Sequence, residues 1–394
     1  MNSIETADAI IIGGGVIGVS LAYYLAQRQF GRITVLERET LGSGSTGRSV
    51  ASIDLYSAQA AAIELQVRAY QIFAHFEELL GSDCGLVTTG LAVLAGAEHA
   101  AALQRSVRVT QAAGVNIQLL TPEGFAALEP AATIDGLAAI GYIPAAGYAD
   151  PMLTTNAFAI AARRSNVIIQ QGRPVIGLNS HIGRIAGVET ASGSIAAPVV
   201  VLAAGPWNGP LLKKFGYNDL GLQACLHPVV SLHQPAAFGS PGLSLLDYPN
   251  GIYARPESGG LTLAGSLEAT VGYDPVDPDA TYGAVTPDYS FWTAERLVQR
   301  YPAMETSELR GGWAGLVTTS PDWQPLLGAV PEVPGLYIAA GFSAQGFKIS
   351  PAVGDLLAGL IAGEAEAARR LAPFRPTRFA EGQPFPLNET GALG

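Results

Sequence analysis

Two cysteines, five histidines and a charged fraction of only 14% are the sparsest features of this 394-residue chain. Cys84 and Cys225 are too few for a disulfide framework and lack metal-ligand spacing, so a reducing cytoplasm is the expected compartment. The histidines are scattered, and no metal site is expected. Basic residues are outnumbered, 22 against 33 acids, and the net charge of −11 argues against a nucleic-acid partner. Residues 9–27 carry no charge at all, which raises the question of a membrane span. Gly13–Gly15 interrupt that run and the preceding Met1–Asp8 is acidic rather than basic. A buried strand–helix unit therefore reads better than a signal peptide or an integral membrane segment. The length suits two domains with substantial cores, and the apolar excess points to a large buried core, an oligomer interface, or both.

What is present is a glycine fingerprint. Ala9-Ile10-Ile11-Ile12 reads as a buried strand and runs directly into Gly13-Gly14-Gly15-Val16-Ile17-Gly18. Gly13 allows a tight turn, Gly15 lets the backbone approach a pyrophosphate, and Gly18 lets helix pack on strand. The helix N-terminus at Val16 and Ile17 offers free N–H groups and a positive dipole end to phosphates. Arg32–Glu37 is a second strand ending in an acid, and Glu37 stands about 20 residues on, where a carboxylate accepts hydrogen bonds from a ribose. A loop of small residues follows, Leu41-Gly42-Ser43-Gly44-Ser45-Thr46-Gly47-Arg48-Ser49, in place of another strand–helix unit. Two further strand–glycine units lie far downstream, Val199–Gly205 and Leu336–Gly341. A nucleotide site assembled from three distant segments suits FAD, a long cofactor reaching into a second domain.

These segments, with Gly147-Tyr148-Ala149-Asp150-Pro151, Ala203-Ala204-Gly205-Pro206-Trp207, Ile252–Pro256 and Ala340–Pro351, resemble the FAD-dependent D-amino-acid oxidase superfamily. Within it the chain is similar to sarcosine oxidase β subunits, glycine oxidase, D-arginine dehydrogenase and the opine- and proline-oxidising complexes. The resemblance extends to about Phe379. It implies an α/β fold in which a Rossmann-type FAD-binding domain (1–85, 146–223 and 311–379) is interleaved with a mixed-sheet α+β substrate domain (86–145 and 224–310). Residues 380–394 form a C-terminal tail, and the chain after Pro373 is expected to be extended. Helices are expected over Gln59–Leu80, Glu98–Ala113, Asp150–Ala162 and Tyr289–Arg300. Strands are expected over Leu86–Leu94, Val115–Leu120 and Gly260–Ala264, with Val167–Gln170 resembling the strand that follows the Asp150 helix in the family. Cofactor contacts are implied for Gly13, Gly15, Val16, Ile17, Gly18, Glu37, Arg38, Ser43, Ser45, Thr46, Arg48, Ser49, Pro174 and Val175. They are also implied for Ala204, Gly205, Trp207, Gly315, Gly341, Ser343, Gln345, Gly346, Phe347 and Lys348.

The implied chemistry is oxidation of the C–N bond of an amine or amino acid, with an N-substituted amino acid favoured. Hydride passes to flavin N5, and water hydrolyses the imine. The protein's share is orientation. Lys348 matches the lysine that binds substrate carboxylate in monomeric sarcosine oxidases, with solvation or a flavin O2 contact as the alternative. Tyr253 matches a substrate-binding tyrosine. Strand alternation sends Arg255 to the same side, either into the pocket or into an outer salt bridge. Where relatives carry a carboxylate-binding arginine, Ala224–Pro228 offers only His227, which argues against a simple D-amino acid. Thr262 falls where oxidases place an oxygen-activating lysine, which favours a dehydrogenase passing electrons to another acceptor. Trp313–Val317 has no cysteine and the Gly-Ser-Thr loop no histidine, so FAD is expected to be non-covalent. Two alternatives remain: a catalytic β-type subunit of a heteromeric opine or proline dehydrogenase, and a non-catalytic FAD-binding assembly or sensing subunit.

Overall fold

The computed structural model describes residues 5–238, 242–282 and 284–387. The uncharged run forms the centre of a six-stranded sheet. Ala9–Ile12 lies between Ile33–Leu36 and Val199–Leu202, Ile168–Gln170 flanks the former, and Leu336–Ala340 flanks the latter. These five strands are parallel, and Leu326–Ala329 closes the edge antiparallel. Alternation assigns the two faces. Ala9, Ile11 and Val201 pack among the helices Val16–Gln27, Pro151–Arg164 and Gly346–Ile361. Ile10, Ile12, Val200 and Leu202 pack against Val175, Val188 and Ile195 of a four-stranded sheet on the other side. Gly354 permits the close crossing of two of these helices, because a Cβ there would lie 2.8 Å from the Ser20 backbone.

A second sheet has eight strands, in the order Glu308–Thr319, Gln223–His233, Leu261–Ser266, Ile252–Glu257, Ser244–Asp247, Leu91–Ala95, Ala139–Ile143 and Gln118–Leu120. Glu308–Thr319 pairs with Gln223–His233 along nearly its whole length. One face carries Val230, Leu232, Ala254 and Ala264 and is covered by the helix Pro287–Arg300. The other carries Leu91, Leu246 and Tyr253 and packs partly on the helix Ala100–Ala112. At the end of the covering helix Arg300, 1% exposed, donates to both oxygens of the fully buried Asp247 at 2.8 and 3.3 Å, and to the carbonyl of Thr133 at 2.6 Å.

Several elements differ from expectation. The helix expected over Gln59–Leu80 is broken at His75 into Ala60–Ala74 and Phe76–Leu80. The strand expected over Leu86–Leu94 splits at Gly90, whose φ of +75° leaves the extended region. The segment after Pro373 is not extended. It forms short 3₁₀ turns held by Arg378, which is fully buried, donates to both oxygens of Asp322, and bonds the carbonyls of Gln324 and Pro325. Of the expected tail, 388–394 lies outside the described residues. The antiparallel meander Val175–Ala196 and the helix Pro122–Leu128 were not foreseen.

Candidate active site

In doubly wound sheets a ligand crevice opens at the carboxyl ends of the strands, where the strand order reverses. Here that point lies beyond Ile12, between Leu36 and Leu202, and it opens into a cavity of about 490 Å³. Gly13, Gly15, Val16 and Ile17 line one end of it. Gly13 turns with φ +114°, and a Cβ there would lie 2.8 Å from the carbonyl carbon of Ala203. A Cβ on Gly18 would strike the carbonyl of Gly13, so Gly18 serves helix–strand packing and is not on the cavity wall. Both oxygens of Glu37 accept backbone N–H groups, Gly14 at 2.7 Å and Glu39 at 2.8 Å, which locks the glycine turn to the second strand. Thr46 Oγ1 accepts from Val16 N at 3.2 Å and brings the small-residue loop over the helix N-terminus. Within that loop Ser43, Ser45, Thr46, Arg48 and Ser49 line the cavity, and Arg48 turns its guanidinium onto the carbonyls of Ser43 and Gly44.

Asp279, from the loop after the strand Leu261–Ser266, reaches this same end. Its Oδ1 accepts from Arg38 at 2.6 Å and from Trp207 Nε1 at 2.7 Å, while the guanidinium of Arg38 stacks 3.9 Å over the Trp207 ring. The Arg38 hydrogen bond holds Asp279 below the usual carboxylate range. Pro174, Val175, Ala204, Gly205 and Gly315 complete this wall.

The other end belongs to the eight-stranded sheet. Tyr253, His227, Leu91, Leu245, Leu246 and Leu267 line it, and Gln345, Gly346, Phe347 and Lys348 enter from the start of the last long helix. Two consecutive left-handed residues, Ser343 (φ +47°) and Ala344 (φ +66°), turn the chain so that 344–348 all face the cavity. Ser343 itself points away and exchanges hydrogen bonds with Ser320 and Gly341, and Gly341 packs on Leu222. Neither Ser343 nor Gly341 is on the wall; both shape the turn behind it.

The ring of Tyr253 lies over Gly265, where a Cβ would come within 2.6 Å of it, and its hydroxyl is buried without a partner. Burial raises this phenol well above its ordinary range, so it stays protonated. The ring of His227 stacks near Tyr253 (5.8 Å) and Tyr273 (4.7 Å), with Nδ1 facing the carbonyl of Gly272 at 3.4 Å. Burial lowers its pKa to about 4, so the imidazole is neutral at working pH. Unfolding restores an ordinary histidine. Its contribution to stability is therefore complete above roughly pH 6.5 and is lost as the pH falls towards 4.

Two expectations change here. Arg255 does not reach the cavity. It donates to the carbonyls of Val50 (2.7 Å) and Pro256 (2.9 Å) and to Glu257 (2.9 Å), and stacks 3.9 Å over Tyr148. Alternation puts it on the side of Tyr253, but two residues along the strand it is already past the wall and braces the loop from behind. Thr262 lies on the opposite face. It pairs with Leu232 and Pro256, accepts from Gln234 Nε2 at 2.9 Å and faces the helix-bearing core. On the cavity side that strand offers Leu263 and Gly265, paired with Arg255 and Tyr253.

Sequence reasoning missed Asp54. Its Oδ2 accepts from Lys348 Nζ at 2.7 Å, and both side chains line the cavity. Between Arg48 and Glu64 it is the single charged residue, a signal available in the sequence.

A parallel sheet with a glycine turn and an acid at its switch point, facing a second sheet across an elongated cavity, defines a dinucleotide-binding α/β protein with a site for a second ligand. The model of the FAD dependent oxidoreductase family matches residues 8–360, and the chain belongs to that family. Glycine oxidase from Geobacillus kaustophilus is 30% identical over 94% of this chain and 97% of its own. Human mitochondrial sarcosine dehydrogenase is 26% identical over 90% of this chain, which spans only 39% of that longer protein. Among solved structures, L-proline dehydrogenase from P. horikoshii superposes with a TM-score of 0.87 at 27% identity, covering 97% of this chain and 100% of the other. FAD is the cofactor of the family.

The residues present fit that cofactor. Gly15 leaves open the space over the helix N-terminus, where a Cβ would meet only Thr46 Oγ1 at 3.2 Å. Gly13–Ile17 and Thr46 would hold the pyrophosphate, Glu37 and Arg38 the ribose end, and 344–347 the ring end. Neither cysteine lines the cavity, and His227, the one histidine on the wall among the described residues, turns Nδ1 to Gly272. Acid precipitation is therefore expected to release all the flavin into the supernatant; colour left in the pellet would reveal a covalent bond. Among the described residues no group of His, Cys, Asp and Glu could hold a metal ion, and no helix is long and apolar enough to cross a membrane.

Proposed function

We propose that this protein oxidises the C–N bond of an amino acid, an N-substituted one favoured, to an imine that water then hydrolyses, and that it acts as a dehydrogenase. The observation that carries this reading is the meeting of Lys348 and Tyr253, from segments nearly a hundred residues apart, on the wall of one cavity, the tyrosine hydroxyl buried and unpartnered. Bound FAD supplies the electron-pair acceptor for the carbon–hydrogen bond beside the amine. The chain's own groups bind and orient. Lys348 anchors the carboxylate, and the protonated Tyr253 hydroxyl donates to a second substrate acceptor. His227, neutral above about pH 4, offers an uncharged ring beside it. Leu91, Leu246 and Leu267 exclude water from the reacting carbon.

Charge distribution supports the dehydrogenase reading. Among the described residues the cations on the wall are Arg38, Arg48, Lys214 and Lys348. Arg38 is engaged by Asp279, Arg48 by loop carbonyls, and Lys348 by Asp54. Leu263 and Gly265 bring no charge to the tyrosine-bearing face. Carboxylates compensate Arg38 and Lys348, so the lysine that enters the substrate end brings little net positive charge to stabilise superoxide there. Anaerobic mixing with a panel of secondary amines, D- and L-amino acids and N-substituted amino acids is expected to bleach the flavin. Turnover with a phenazine dye should then exceed turnover with O2 by about tenfold or more. Bleaching by dithionite alone would favour a non-catalytic FAD-binding subunit, and peroxide formed as fast as dye is reduced would make the protein an oxidase.

A further inference from the structure

Asp54 has no role in the reading above except as the partner of Lys348, yet only one of its oxygens is used. Oδ2 accepts from Lys348 Nζ at 2.7 Å, whereas Oδ1 is buried and has no hydrogen-bond partner. A carboxylate oxygen shielded from water and left bare is costly, so a donor is expected to arrive with a ligand. The position of Asp54 says which ligand. The next residue, Leu55, packs in one cluster with Leu91, Leu246, Tyr253 and Leu267, the apolar walls of the substrate end. The phosphate and ribose groups of a dinucleotide belong instead to Gly15, Thr46 and Glu37 at the other end.

Lys348 spends one of its three N–H donors on Asp54 and keeps two for a ligand. Ammonium and free carboxylate oxygen thus stand side by side on one wall, a fixed plus–minus pair with no net charge. Its complement is a ligand with a carboxylate and a protonated amine separated by one carbon. A lone carboxylate would satisfy Lys348 but leave Oδ1 bare and face its negative charge. A simple amine would do the reverse.

We infer that Asp54 is a specificity-determining residue that accepts an N–H of the substrate amine, so that the Lys348–Asp54 pair selects zwitterionic α-amino acids, primary or secondary, with apolar skeletons. This rests on the proposed C–N oxidation at the same site, but binding can be measured apart from turnover. 2-Aminoisobutyrate has no hydrogen on its α-carbon and cannot be oxidised there; pivalate carries a methyl group in place of its nitrogen. Dissociation constants for both are read from the perturbation of flavin absorbance in the FAD-loaded protein.

The wild-type protein should prefer 2-aminoisobutyrate to pivalate by about tenfold or more, the size of a charge-assisted hydrogen bond. Asp54→Asn should abolish the preference while retaining flavin, Asp54→Glu should restore part of it, and Lys348→Met should weaken both ligands. Equal weakening of both by Asp54→Asn would mean that Asp54 merely orients Lys348 and would overturn the inference. So would a wild-type protein without preference, or loss of flavin from Asp54→Asn with the preference intact in Asp54→Glu. If the preference stands but no α-amino acid bleaches the flavin, the specificity assignment survives and the proposed oxidation fails. Bleaching by amines without any preference would sink the specificity assignment and leave the oxidation in place.

Discussion

Gly15→Val should yield a folded protein that has lost more than about nine-tenths of its flavin, because the new side chain occupies the space kept for the pyrophosphate. The backbone tolerates the change. Gly15 has an ordinary φ of −73°, and a Cβ would meet only the Thr46 hydroxyl, at 3.2 Å. Gly13→Val is expected to behave differently. There φ is +114°, and a Cβ would lie 2.8 Å from the carbonyl carbon of Ala203 at the end of the neighbouring strand. That collision and the left-handed backbone together disrupt the central sheet, so the protein should be insoluble or melt far below the wild type. Flavin absorbance per chain and thermal melts of the two variants separate the cases. A Gly15→Val protein that keeps its full complement of flavin would remove the glycine turn from the cofactor site.

Arg300→Met should destabilise the fold by about 3–5 kcal/mol, since it leaves the carboxylate of Asp247 buried without its countercharge. Asp247 is fully buried and Arg300 1% exposed, and the pair joins the end of the covering helix to a central strand of the eight-stranded sheet. The double variant Arg300→Met with Asp247→Leu removes both charges and should regain most of the loss. Denaturant midpoints measure each step. A single variant within about 1 kcal/mol of wild type would show that water or a neighbouring donor replaces the arginine.

The nucleotide end of the site was legible because its signals are local. A glycine turn between a β-branched run and a helix, with an acid closing the next strand, needs only spacing to be read, and Gly13, Gly15 and Glu37 lie where that spacing puts them. The substrate end is built from side chains of separate elements, and there the reading was partial. Tyr253, His227 and Lys348 face the cavity, while Arg255 and Thr262 do not. For Thr262 the cause is register: strand residues alternate between faces, and the pairing of Leu261–Ser266 puts Leu263 and Gly265, not Thr262, on the face of Tyr253. For Arg255 the cause is the length of the strand, which carries the side chain beyond the cavity to Tyr148 and the Val50 carbonyl.

By itself the sequence determined the strand–glycine–helix unit, set by the period of apolar residues and by backbone freedom at glycine, and the scarcity of charge; the two-sheet α/β architecture and the FAD class were legible through the resemblance of its motifs to a known family. Only the tertiary structure decided which charges meet. Asp54 and Lys348 are 294 positions apart and become partners because the short strand Ser52–Ile53, which ends just before Asp54, and the last long helix converge on one cavity. Arg38, Trp207 and Asp279 form their cluster for the same reason. Such pairings depend on the register of distant strands and on the turn of single loops, neither of which leaves a periodic trace in the chain. The character of the pocket, a compensated ion pair in an apolar wall, belongs to the fold.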